Sequence, residues 1–137
     1  MNILVPGLTL VALTLYVVFR MGVLRHRAIR RGDIHPGFFS LYRGYEEPET
    51  LAAYSRHVTN LYEAPVLFYV VCITAFVTGQ DSSLLLALAW AYVGLRFVHS
   101  YVHLTSNVVL LRFRLFATSL LVLGVMWAIV LTHIMRQ

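Results

Sequence analysis

The sequence predicts an all-α integral membrane protein, built as a bundle of four transmembrane helices. Of the 137 residues, 59% are hydrophobic and only 12% are charged, and a soluble chain this short could not bury so much apolar surface. The apolar residues form four long runs that polar segments separate. Each run is long enough for a helix to cross the hydrocarbon core, so we expect a single membrane domain over residues 1–137.

The first helix is predicted over residues 3–31. It begins in an apolar run with no preceding charge and continues into a basic segment. A signal peptide needs a positive amino-terminal region and a cleavage site of small residues, so a transmembrane helix explains the run better. Residues 32–48 are rich in glycine, proline and polar side chains, which predicts one long loop.

The other three helices are predicted over residues 48–78, 84–104 and 111–135. The second helix begins among acidic residues around Pro48, a composition that favours the first turn of a helix. A tight turn precedes the third helix, and we expect Asp81 or Ser82 to be its N-cap.

Arginine supplies all 11 basic residues, and its distribution predicts the orientation of the bundle. The third connection is basic, the second has no arginine, and the first is the most basic, with Arg20, Arg25, Arg27, Arg30, Arg31 and Arg43. The positive-inside rule therefore places the first and third connections in the cytoplasm and both termini on the other side. No basic patch alternates with exposed aromatic residues in a soluble module, so we expect no nucleic-acid partner.

Three polar residues share one face of the second helix. Arg56, Asn60 and Glu63 lie at positions i, i+4 and i+7. A charge at bilayer depth is costly, so such residues either pair with one another or hold a polar ligand. One interpretation is a structural network in which Glu63 neutralises an arginine between helices. The other is a ligand site, and the two are compatible.

A second polar set lies late in the third helix. Arg96, His99 and His103 occupy positions i, i+3 and i+7, and the two histidines have the spacing of a pair of metal ligands. No HExxH glutamate lies between them, and no third histidine or cysteine stands at a matching place. We therefore predict helix packing or substrate contact here and no metal.

Arg112 follows these residues at the start of the fourth helix. It is either an interfacial anchor or a cation that favours the thiolate form of a neighbouring thiol. In the predicted topology the membrane-embedded polar residues, His133 excepted, lie in the cytoplasmic half. This convergence predicts a polar pocket that opens to the cytoplasm.

Taken together, these residues resemble the MAPEG family, the membrane-associated proteins in eicosanoid and glutathione metabolism. The resemblance covers nearly the whole chain. The motif R-x3-N-x2-E appears as Arg56, Asn60 and Glu63, and R-x2-H-x3-[Y/H]-x8-R appears as Arg96, His99, His103 and Arg112. The end of the first helix, around Arg25, is similar too. The ten residues from Asn60 look most like the small bacterial branch.

The resemblance implies a homotrimer that binds glutathione, as co-substrate, in clefts between neighbouring subunits of a bacterial inner-membrane protein. Arg112 would be catalytic and stabilise the glutathione thiolate. The acceptor would be a lipophilic electrophile or a lipid hydroperoxide that arrives from the lipid side, in a transferase or peroxidase reaction. The glutathione-binding residues carried over from the family are Arg25, Arg56, Asn60, Glu63, Arg96, His99 and His103.

Two positions differ from the family pattern. Thr59 stands where several eicosanoid-pathway members have an arginine, and His103 stands where members have a tyrosine. The family also includes a non-enzymatic member that presents lipids to a partner. The alternative function is therefore a non-catalytic protein that binds a lipid or acts as a scaffold through the same cleft.

Overall fold

A computed structural model describes residues 2–42, 44 and 46–137, and for Leu41 only the backbone. Within these residues the chain is entirely helical, without strands. Four helices are long and apolar enough to cross a membrane. They are α1 (Leu4–Arg31), α3 (Glu49–Val77), α4 (Ser83–Leu104) and α5 (Val109–Ile134). The predicted all-α membrane bundle is confirmed. Arg43, one of the arginines behind the predicted orientation, lies outside the described residues.

The first connection contains a short helix, α2 (Phe38–Leu41), where the sequence predicted only a loop. Phe38 is buried, and its ring packs edge-to-face against Phe39 and Tyr42. Phe38 also belongs to a small apolar cluster with Ala28 of α1 and Leu51 of α3. Aromatic packing against the ends of two long helices explains why this segment is ordered, and the local sequence pattern does not contain that information.

Two ends of the long helices show ordinary capping chemistry. Gly32 terminates α1 in the left-handed region, with φ +78°, where glycine carries no Cβ penalty. Ser82, one of the two predicted caps, is the N-cap of α4, since its Oγ accepts a hydrogen bond from the N–H of Leu85 at 3.4 Å. Helix α5 begins at Val109, slightly before the predicted residue 111.

Replacing Ser82 with alanine should destabilise the protein by about 0.5–1 kcal/mol, because one N–H at the start of α4 loses its acceptor. Thermal unfolding followed by circular dichroism in detergent measures this change. Ser83→Ala is the matched control, since Ser83 is exposed and does not cap the helix. Equal effects of the two substitutions would contradict the capping role.

Helices α3 and α4 form the middle of the bundle. Each contacts both α1 and α5, whereas α1 and α5 do not contact each other in the described part of the chain. The apolar core includes Phe68 of α3 and Tyr92 of α4, whose rings stack with centroids 4.3 Å apart. The up-and-down order brings the end of α1, the start of α3, the end of α4 and the start of α5 to one end of the bundle. We call this the polar end, because the predicted site residues are found there.

Candidate functional site

A buried arginine joins two helices at the polar end. Arg96 of α4 is completely buried, and its Nη2 donates to both the side-chain and the backbone oxygen of Asn60 on α3. Its Cζ lies 5.8 Å from the ring centroid of Phe116 on α5. Its Nε and Nη1 have no hydrogen-bond partner among the described residues. A cation is thus held within the bundle with donors to spare.

The other two residues of the R-x3-N-x2-E motif face away from the core. Arg56 and Glu63 are exposed, while Asn60 between them is partly buried against Arg96. In the part of the chain that the structure describes, Glu63 forms no ion pair with an arginine. The structural network in which Glu63 would neutralise an arginine between helices is therefore not seen among these residues. The buried cation has an amide as its partner instead.

Three histidines gather beside Arg96. His57, His99 and His103 are 0%, 4% and 3% exposed, and one ring nitrogen of each lies within 4.8 Å of the others. The Nδ1 atoms of His57 and His103 are 3.0 Å apart, and His57 Nε2 lies 2.8 Å from Ser100 Oγ. We call these three residues the histidine cluster. The expectation that no third histidine stands at a matching place was wrong.

Sequence spacing does not link His57 to His99 and His103, because His57 lies on α3, far from the other two along the chain. A signal for it was nevertheless present. His57, Leu61, Ala64 and Phe68 recur at i, i+4, i+7 and i+11, and all four are buried. This periodicity defines the inward face of α3. It indicates that His57 points into the bundle, while the packing of α3 against α4 decides that it meets the other two histidines.

Arg112 lies next to the histidine cluster at the start of α5. Its backbone oxygen accepts a hydrogen bond from His99 Nδ1 at 3.2 Å, and its Nη1 donates to Asn107 Oδ1 at 2.5 Å. Asn107 adopts φ +51°, a left-handed conformation that asparagine tolerates better than most residues. The Nε of Arg112 is buried and has no partner among the described residues. The loop between α4 and α5 thus orients this guanidinium.

Arg25 occupies a different environment, on α1. Its Nη2 donates to the hydroxyl of Tyr42 at 3.3 Å, and its Cζ lies 5.1 Å from the ring centroid of Phe39. No hydrogen bond or ion pair joins it to the other predicted site residues within the described part of one chain. Its main local effect is to hold the first connection against α1.

An open groove of about 490 Å³ lies at the polar end beside the start of α3. Its lining includes the exposed cation Arg56 and Asn107, whose side chain accepts from Arg112. It also includes glutamate carboxylates, some exposed and some partly buried. The residues that line it are Glu46, Glu47, Glu49, Ala52, Ala53, Arg56 and Asn107. A ligand that carries both an ammonium and carboxylates would find opposite charges here.

Comparison with known families agrees with this architecture. The model of the MAPEG family matches residues 3–132, which contain almost all of the four long helices and every predicted site residue. No curated protein and no solved structure matches the chain. Since the family match covers far more than half of the sequence, the chain belongs to the MAPEG family.

Proposed function

We propose that this protein is a membrane-bound, glutathione-dependent transferase or peroxidase that acts on lipophilic electrophiles or lipid hydroperoxides. Glutathione is the co-substrate. Membership of the MAPEG family supports this proposal, because the family includes such enzymes. The position of Arg112 supports it as well, since a half-buried guanidinium cation favours a bound thiolate over a thiol.

The observation that carries the proposal is the exposure of Arg56 and Glu63 on a helix that otherwise suits the membrane. Charged groups on a transmembrane helix normally face a protein interior or a water-filled cavity. A second copy of the chain together with a polar ligand would satisfy both side chains. We therefore propose a homotrimer with glutathione in the cleft between neighbouring subunits, where Arg25 of one subunit would reach the ligand of the next.

The chemistry needs only a thiolate and a lipid-dissolved partner held close together. In the transferase reaction the thiolate attacks an electrophilic carbon and forms a thioether; a leaving group departs with its electron pair, or, in an addition, the π bond breaks and the product takes up a proton. In the peroxidase reaction it attacks the hydroperoxide oxygen, which releases an alcohol and leaves a sulfenic acid. A second glutathione then reduces that sulfenic acid and gives glutathione disulfide and water.

The orientation belongs to the same proposal. The arginine-rich first connection lies at the polar end, so the positive-inside rule would open the site to the cytoplasm and leave both termini on the opposite side. We propose the inner membrane of a bacterium as the location, in line with the resemblance to the small bacterial branch.

Titration of the detergent-purified protein with glutathione, followed by thiolate absorbance near neutral pH, tests the proposal. We expect a saturable signal that S-methylglutathione displaces but cannot itself produce, because its sulfur has no proton to lose. Free glutathione at the same pH is the baseline. An assembled protein whose absorbance never exceeds that baseline would contradict glutathione activation.

The alternative function is lipid binding without catalysis, and Thr59 favours it. Threonine is uncharged, so this position offers no cation to a ligand. Its hydroxyl donates to the backbone oxygen of Ser55 on the same helix at 3.3 Å. A groove of about 560 Å³ between α1 and α4 is lined by apolar and aromatic side chains, among them Tyr16, Phe97 and Tyr101. Lipid that remains bound through purification, with no glutathione signal, would support this alternative.

A further inference from the structure

The hydrogen bonds of the histidine cluster determine where its protons lie. Ser100 Oγ donates to the backbone oxygen of Arg96 at 2.8 Å, so towards His57 it can act only as an acceptor. His57 therefore carries its proton on Nε2, and its Nδ1 offers a lone pair. The 3.0 Å contact between the two Nδ1 atoms then requires His103 to be the donor. His103 Nε2 is left with a lone pair and no described partner.

The third ring is oriented in the same way. His99 Nδ1 faces the backbone oxygen of Arg112 at 3.2 Å, and a carbonyl can only accept, so the proton is on Nδ1. His99 Nε2 therefore carries a lone pair. Histidines that bind metals typically donate their other ring N–H to a carbonyl or a comparable acceptor. His57 and His99 already have such outer partners, in Ser100 and the Arg112 carbonyl.

We propose that His57, His99 and His103 form a binding site for a divalent transition metal such as zinc, with a fourth position open to an anion. Three neutral imidazoles and one exchangeable ligand are the pattern of catalytic zinc sites. Zinc–nitrogen bonds of about 2.0–2.1 Å place two tetrahedral ligands roughly 3.4 Å apart. The two Nδ1 atoms 3.0 Å apart approach this spacing. Both become ligands once the His103 proton moves to Nε2.

The surrounding charges decide what the fourth ligand must be. The cations Arg96 and Arg112 lie close enough to act electrostatically on the histidines, as Arg56 does on His103. These arginines repel a metal dication that is bound by three neutral imidazoles alone. The ion is therefore retained only when an anion binds with it. If the proposed function is correct, the glutathione thiolate is that anion. Metal and thiol would then bind cooperatively, each tightening the other.

Cobalt(II), a coloured substitute for zinc, tests the site in tag-free, chelator-treated protein in detergent. With chloride in the buffer as the fourth ligand, we expect tetrahedral visible absorption that saturates at about one cobalt per chain, as a single three-histidine site requires. His57→Ala should abolish it, and Ser100→Ala should weaken cobalt binding about 10- to 100-fold through loss of the outer hydrogen bond. His26→Ala is the control, because His26 is exposed on α1. Helix content by circular dichroism checks that each variant is folded.

Wild-type protein with only the octahedral spectrum of free cobalt would overturn the proposal, as would a folded His57→Ala variant that binds cobalt normally. Adding glutathione to the cobalt protein should produce sulfur-to-cobalt charge-transfer absorption. Tetrahedral cobalt without that absorption would keep the metal site and remove the thiol as its ligand. A glutathione thiolate signal in metal-free protein that binds no cobalt would leave the proposed function standing and end the metal proposal.

Discussion

Replacing Arg112 with alanine should eliminate the thiolate absorbance of bound glutathione and lower glutathione-dependent turnover about 10²- to 10³-fold. Loss of one electrostatic donor from a preorganised site has this magnitude. The effect should appear in kcat and in the thiolate signal, while the assembly state on size exclusion stays the same. Unchanged turnover in Arg112→Ala would remove the arginine-thiolate mechanism.

Two further substitutions test whether turnover depends on where the Arg112 guanidinium lies or only on the presence of a positive charge. Arg114→Ala removes an exposed arginine from the same helix and should leave turnover unchanged. Asn107→Gly keeps a residue suited to φ +51° but removes the amide that accepts from Arg112. We expect it to lower turnover roughly 10- to 100-fold, since small displacements of a catalytic group have effects of that size. An Asn107→Gly variant with normal turnover would show that Arg112 needs no such support.

Replacing Asn60 with alanine should destabilise the bundle by about 1.5–3 kcal/mol, because a completely buried guanidinium loses its side-chain acceptor. Interhelical hydrogen bonds in membrane proteins contribute only about 0.6 kcal/mol on average. We expect a larger value here because the donor is a cation. Thermal or detergent unfolding without glutathione, followed by circular dichroism, measures the change without any contribution from ligand binding.

A double-mutant cycle that combines Asn60→Ala with Arg96→Met measures the coupling energy between these two residues. Methionine has an unbranched side chain that can fill much of the same space without a charge. Once Arg96 is gone, Asn60→Ala should cost much less, since no buried cation is left unpaired. We expect a coupling energy of about 1–3 kcal/mol, within the range for residues in direct contact. Effects that simply add would mean that Arg96 does not depend on Asn60.

Much of the fold follows from the order of residues alone, because the bilayer constrains a membrane protein strongly. Apolar runs of sufficient length must become helices that satisfy their own backbone hydrogen bonds. This requirement predicted α1, α3, α4 and α5 close to their bounds in the structure. The short helix α2 was missed, because its stability comes from aromatic side chains packed against two other helices.

The structure brings only some of the predicted site residues into contact, because burial depends on which side of each helix meets its neighbours. Spacing placed Arg56, Asn60 and Glu63 on one side of α3, but only Asn60 meets Arg96 within the chain. The three side chains lie within eight residues and cover an arc of roughly 60° around the helix, so one of them can pack inward while the other two stay exposed. Local spacing cannot distinguish these cases, because burial depends on where the next helix lies.

The amino-acid sequence by itself determined that this protein is a four-helix membrane bundle. The length of an apolar run and the arginines beside it are properties of a single segment, and they act on that segment whatever the other helices do. The tertiary structure alone decided that His57 joins His99 and His103, and that Asn60 is the partner of Arg96. These contacts form between helices far apart along the chain, so they exist only once α3 and α4 pack together.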